Sequence, residues 1–448
     1  MNKKYFLFLI TILLYNNVLT QDTREVRNRR WQEDLLYFKD RFPAYDKTIT
    51  PFIFSNAADS NKLYSYSQKN SIEVFLKGVD SLYKAVDQLS DDQLMIGICK
   101  LVALSPNAHT RLLLFRLETV MNNLPIGIYW FGNDLHITAA PPAYKAFLGA
   151  KINAINGIPI DSVKKRVDEL NSGNSSWKRY MSLYYLRSPQ ALKGLSLVND
   201  AKQLSLTVTP LKGKEQILSM KADFVPQTST VDIWKDLSPN WVKKDSLMHV
   251  LLENKRLPLY LQNPEKNYWY QYLEKAGIVY LNFSRTDNTK DLSFYEFALK
   301  LINDIKDKPY SKFVIDVRFN TGGDNDIAEK GLIELAANLK NKQVYIITGY
   351  PTFSAGVTTS ALFKWYTGAK VIGELAGDGL VYFSEGGDIQ LPHSKLYVHY
   401  ANGFHNDIFI KGFNIRPDKE ILVSFQDYLN GEDPILNFVI MQNVPGLK

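Results

Sequence analysis

From Gly277 to Glu374 the chain alternates buried-type strands with amphipathic helices, and no other segment limits the possible folds so closely. Gly277 to Phe283, Phe313 to Val317, Val344 to Thr348 and Lys370 to Gly373 read as strands. Helical segments running to about Leu339 and about Tyr366 separate the last three. Two successive strand-helix-strand crossovers demand a parallel sheet. In such a sheet, ligands gather at the edge formed by the carboxyl ends of the strands.

Two unusual loops leave that edge. One is Arg318-Phe319-Asn320-Thr321-Gly322-Gly323-Asp324; the other, Gly349 to Phe353, delivers Ser354 to the start of a helix. The glycine pair lets the backbone approach a ligand with its amides turned inward. A helix start adds free amides and the positive end of the dipole, which favour an anion. Together they describe a serine nucleophile beside an oxyanion hole formed near Gly322, Gly323 and Ala355. Taken singly, Ser354 also reads as a plain N-cap and the glycines as a tight turn.

The rest of the chain divides around this core. Residues 1–20 read as a signal peptide: Lys3 and Lys4, an apolar run from Tyr5 to Leu14, then polar residues before Gln21. That run is too short for the roughly 20 residues a spanning helix needs, so no stable membrane insertion is expected after cleavage. A helical bundle is expected over 21–123, with Leu94, Ile98, Leu101 and Val102 at helical spacing and His109 on the loop that follows. The segment 124–222 reads as short strands around the turn dipeptide Asn156-Gly157, with a helix near Asp161. Residues 223–266 are Pro-punctuated and read as a connector, which leaves 267–448 for the core.

With Cys99 as its only cysteine, the chain forms no internal disulfide and depends on buried core. Its 53 basic and 46 acidic residues are interleaved, which argues against a nucleic-acid partner. His393, His399 and His405 recur at six-residue steps without a metal-binding pattern, and no nucleotide-binding loop is present, so neither metal nor cofactor is expected. Two Asn-x-Ser tripeptides, at Asn174 and Asn282, receive no role.

The segment VIDVRFNTGGD resembles the Asp-x-Arg-x-Asn-x-Gly-Gly signature of the tail-specific (C-terminal processing) serine peptidases. TFSAG, KVIGELAGDG and FNIRPD resemble that family's later motifs in the same order, and NAHTRL resembles an Asp-Gly-His-Thr loop found in its tricorn-like branch. LGAKINAINGIPIDSVKKRVDEL is similar to the Ile-Asn-Gly turn and following helix of PDZ domains. The resemblance, spanning about Trp31 to Ile440, implies an α/β multidomain protein. Its parts would be an N-terminal helical bundle, a PDZ-like β-rich domain and a ClpP/crotonase-like core with a mainly parallel sheet.

The resemblance also implies roles. Ser354 would be the nucleophile, acting on a polypeptide or peptide substrate. The lysine that many members place in a Gly-Lys-Gly turn is replaced in Gly377-Asp378-Gly379, and Lys364 lies ten residues down the helix from Ser354, roughly 15 Å away. His109 is then the expected general base, with Glu385 the carboxylate that holds it. The stretch Leu124 to Trp130 has only Gly127 where a PDZ groove needs a Gly-rich loop, so capture of C-termini is not implied. Two further readings use the same core: a ligand-binding protein without turnover, as in the interphotoreceptor retinoid-binding protein, and an esterase.

Overall fold

The computed structural model describes residues 24–56, 59–65, 71–114, 121–224, 232–242, 248–406, 410 and 412–442. The leader read at residues 1–20 lies outside them. Six strands form the core sheet, in the order Tyr268–Leu273, Ile278–Phe283, Lys312–Asp316, Gln343–Thr348, Lys370–Gly373 and Lys419–Glu420. The first two pair antiparallel and the others parallel. Because successive side chains in a strand face opposite ways, the sheet buries both surfaces. Val279, Leu281 and Phe313 meet Leu301, Leu332 and Val357 on the crossover helices. On the other side Tyr280, Val314 and Ile347 meet Ile435 and Val439 of the last helix, Pro434–Met441.

Three N-terminal helices, Arg24–Tyr45, Ser71–Lys84 and Asp91–Val102, pack through Phe38, Phe42 and Phe75. Between the first two lies an antiparallel hairpin, Ile53–Asn56 with Asp59–Ser65, where the sequence reads as helical. Its aromatic and β-branched start favours a strand, and Phe52 packs edge-on to Phe383 at 5.0 Å, a partner that sequence spacing does not reveal.

In the middle segment, Asn156 (φ 48°) and Gly157 (φ 78°) form the left-handed turn between Lys151–Ile155 and Ile158–Pro159, and a helix follows over Ile160–Val167. The short strand His249–Val250 pairs with Asp134–Ala140, so the connector contributes to the middle sheet. A separate three-stranded sheet joins Val381–Gln390, Tyr397–Asn406 and Arg111–Leu112. Its hairpin tip is clasped from the N-terminal region: the buried Asp34 carboxylate accepts the backbone amides of His393 at 2.8 Å and Ser394 at 2.7 Å. No helix among the described residues is long and apolar enough to cross a membrane.

Candidate active site

Ser354 ends the loop after strand Gln343–Thr348 and precedes the helix Ala355–Thr367. Its backbone is strained, with φ 53° and ψ −128°, and its side chain does not cap the helix. A non-glycine residue held so costs about 1–3 kcal/mol, which neighbouring contacts must offset. They do: Phe353 N donates to Asn320 O at 2.9 Å, and Thr352 Oγ1 donates to Val317 O at 2.8 Å. A strained strand-to-helix turn that thrusts out a serine is the geometry of a nucleophile elbow.

The glycine loop lies against this turn. Asn320, fully buried, donates to Phe283 O and to Thr286 Oγ1, both at 3.0 Å, and accepts the Gly322 amide at 3.0 Å. Gly322 is therefore occupied and does not fit the oxyanion role expected of it. The amides of Gly323 and Ala355 have no acceptor among the described residues. Gly322 (φ 109°) instead supplies room: a Cβ there would stand 2.8 Å from Ser354 Cβ and 3.2 Å from its Oγ. Gly322→Ala is expected to abolish acylation of Ser354 and to lower stability by about 1–3 kcal/mol through the positive φ. Reaction rate with an active-site probe and the melting temperature measure the two effects.

His109 sits in the turn before strand Arg111–Leu112, and a buried carboxylate fixes that turn from below. Asp46 accepts Thr48 N and Ile49 N, each at 2.8 Å, and Thr110 Oγ1. The His109 ring stacks on Phe353 at 4.6 Å, next to Ser354 in sequence. Its Nε2 lies 3.2 Å from Asp378 Oδ2, with side-chain exposures of 14% and 8%, so the pair is largely shielded from water. Asp378 Oδ1 is itself fixed by the Gly379 amide at 2.9 Å. No hydrogen bond joins His109 to Ser354 among the described residues, and resting sites often hold such pairs loosely.

Asp378, not Glu385, is thus the carboxylate set against His109. Glu385 Oε2 lies 2.7 Å from His405 Nε2, which also meets Ser384 Oγ at 2.8 Å. Burial opposes ionisation of Glu385, but hydrogen bonds with His405 and Ser384 outweigh it and hold the carboxyl below its usual range. Its position follows from a local break in the ladder: the register is the same at Ser384–Gly403 and at Gly386–Ala401, and Glu385, at φ 35°, stands between them outside the pairing. The sequence marks Asp378 only as the residue replacing a lysine. Nothing local tells that its partner comes from position 109.

Other expected residues take structural places. Lys364 bonds Asp418 Oδ2 at 3.0 Å. His393 and His399 pair with Glu33 and Asp388. Cys99 is buried, and burial pushes its thiol up to about 12, so it is inert at neutral pH.

No protein-family model matches the chain, and no curated protein matches it. Among solved structures, a serine-to-alanine mutant of CPAF aligns with TM-score 0.60 at 10% identity, covering 93% of this chain and 99% of that one. Mature CPAF aligns with TM-score 0.56 at 11% identity, covering 92% and 96%. Mature CPAF complexed with lactacystin gives 0.55 at 11%, covering 91% and 96%. At such identities the likeness is one of fold, a mixed α/β multidomain architecture aligned over nearly the whole length.

Proposed function

We propose that the protein is an exported serine peptidase that cleaves peptide bonds through an acyl-enzyme on Ser354. The observation that carries this reading is the strained Ser354 elbow pressed against Gly322, with the amides of the following residue Gly323 and of Ala355 left without an acceptor among the described residues. Ser354 Oγ attacks the scissile carbonyl as His109 takes its proton, and the Gly323 and Ala355 amides receive the oxyanion. A proton on the ring nitrogen facing Asp378 leaves the other nitrogen as the base. His109 returns the proton to the departing amine, and water then attacks the ester, again with His109 as base. A small closure on substrate binding brings His109 and Ser354 within reach. The finer reading is a tail-specific peptidase with a tricorn-like histidine base and a PDZ-like middle domain. The NAHTRL loop facing the site and the Asn156-Gly157 turn support it.

A fluorophosphonate probe on the full chain tests this. Mass spectrometry is expected to locate the label on Ser354, with none in Ser354→Ala, and the exported protein should begin close to Gln21. Absence of label under conditions where a related peptidase reacts would favour a ligand-binding protein. Label with ester but no peptide turnover would favour an esterase.

A further inference from the structure

Five rings form a continuous column through the candidate site. Trp177 lies on Phe353 at 3.7 Å and 14°, and Phe353 on His109 at 4.6 Å and 29°. His109 lies on Tyr382 at 5.3 Å and 12°, and Tyr382 on His405 at 4.7 Å and 5°. Tyr382 is fully buried, and its hydroxyl leaves the column to bind two other parts of the site. Asn325 Nδ2, just beyond the glycine loop, donates to it at 3.0 Å, and it lies 3.0 Å from Thr358 Oγ1 on the helix that Ser354 opens.

The geometry points to Tyr382 as a positioning residue for catalysis. Its ring fixes the plane of His109, and its hydroxyl ties that plane to the nucleophile helix and to the segment following the oxyanion loop. The inference rests on the serine-hydrolase reading of the same site. No neighbouring element does both jobs. Phe353 clamps the other face of His109 but has no polar atom in its side chain, and Asp378 binds one ring atom without fixing the tilt of the ring.

The outer end of the column fits the same role. His405 contacts Ser384 Oγ and Glu385 Oε2 through the same nitrogen, Nε2. A catalytic triad uses opposite nitrogens for nucleophile and carboxylate, so this cluster is not a second active centre. It holds the His405 ring flat on Tyr382 and closes the stack.

The test uses the full-length protein and two variants. Tyr382→Leu removes the ring, and Tyr382→Phe removes only the hydroxyl ties. Displacing a catalytic group by about 1 Å can cost a hundredfold. Tyr382→Leu is therefore expected to lower kcat by about a hundredfold with KM nearly unchanged. Tyr382→Phe should lose only a few-fold. Independently of activity, 15N signals of the histidine rings, with His109 assigned through His109→Ala, should report one ordered tautomer in the parent and in Tyr382→Phe. In Tyr382→Leu they should report averaged tautomers. Tyr382→Met, closer in volume, serves if the leucine variant does not fold. Unchanged His109 signals without the Tyr382 ring would overturn the proposal. If the parent takes no fluorophosphonate yet His109 loses its order in Tyr382→Leu, the hydrolase reading fails while the ordering role stands.

Discussion

His109→Ala is expected to cut turnover by about a hundredfold to ten-thousandfold while leaving the protein folded. The two effects separate by magnitude. Stacking on Phe353 and Tyr382 contributes about 0.5–1.5 kcal/mol per ring pair, a loss that a chain of this size tolerates. Losing the base raises the barrier by about 3–5 kcal/mol, at roughly 1.4 kcal/mol per tenfold in rate. Measuring kcat on a peptide substrate beside the melting temperature distinguishes them. Asp378→Asn should be the milder companion, because it keeps the shape of the pair but not the charge that stabilises an imidazolium. Turnover that survives His109→Ala undiminished would sink the assignment of the base. The lysine alternative already has poor geometry, since Lys364 is engaged by Asp418 and by Ala369 O at 3.1 Å.

The largest loss of stability is expected from Arg318→Met, about 3–5 kcal/mol. Arg318 is 5% exposed and lies between two buried carboxylates, Asp316 and Asp433, each at 2.9 Å or closer. Its guanidinium also lies over the Tyr260 ring at 4.3 Å. Burial pushes the Asp316 carboxyl up, against the pull of Arg318, so removing the cation leaves two anions with neither solvent nor counter-charge. Asp433 in turn caps the last helix through Ile435 N and Leu436 N, so the damage spreads to the sheet's second face. Replacing all three charges with well-packed apolar residues should cost less than the single change. Urea denaturation midpoints compare the two, and a loss under about 1 kcal/mol for Arg318→Met would contradict this account.

Arg318 shows how far the sequence could be read. The motif around it singled out the loop that the structure sets against Ser354. It did not reveal that the arginine braces a helix more than a hundred residues later. The parallel sheet and the serine at a helix start were legible from local periodicity and loop chemistry alone. The Asp378 partnership, the hairpin at Ile53 and the Tyr382 column were not. The first and the last depend on segments that meet only in three dimensions, on which period-counting carries no information, and the hairpin is a local pairing whose aromatic and β-branched start lies in a stretch read as helical. Glu385 misleads for a related reason: a positive φ takes this one strand residue out of the ladder, and no glycine or proline at that position announces it.

The pairing of His109 with Asp378 spans 269 positions of the chain. A ribosome delivers the first partner long before the second, and the hairpin that supports the ring column emerges later still. On the reading proposed above, a chain that has not yet reached Asp378 lacks the carboxylate set against His109, whatever parts of it have folded. On that reading the topology itself delays activity until the chain is nearly complete.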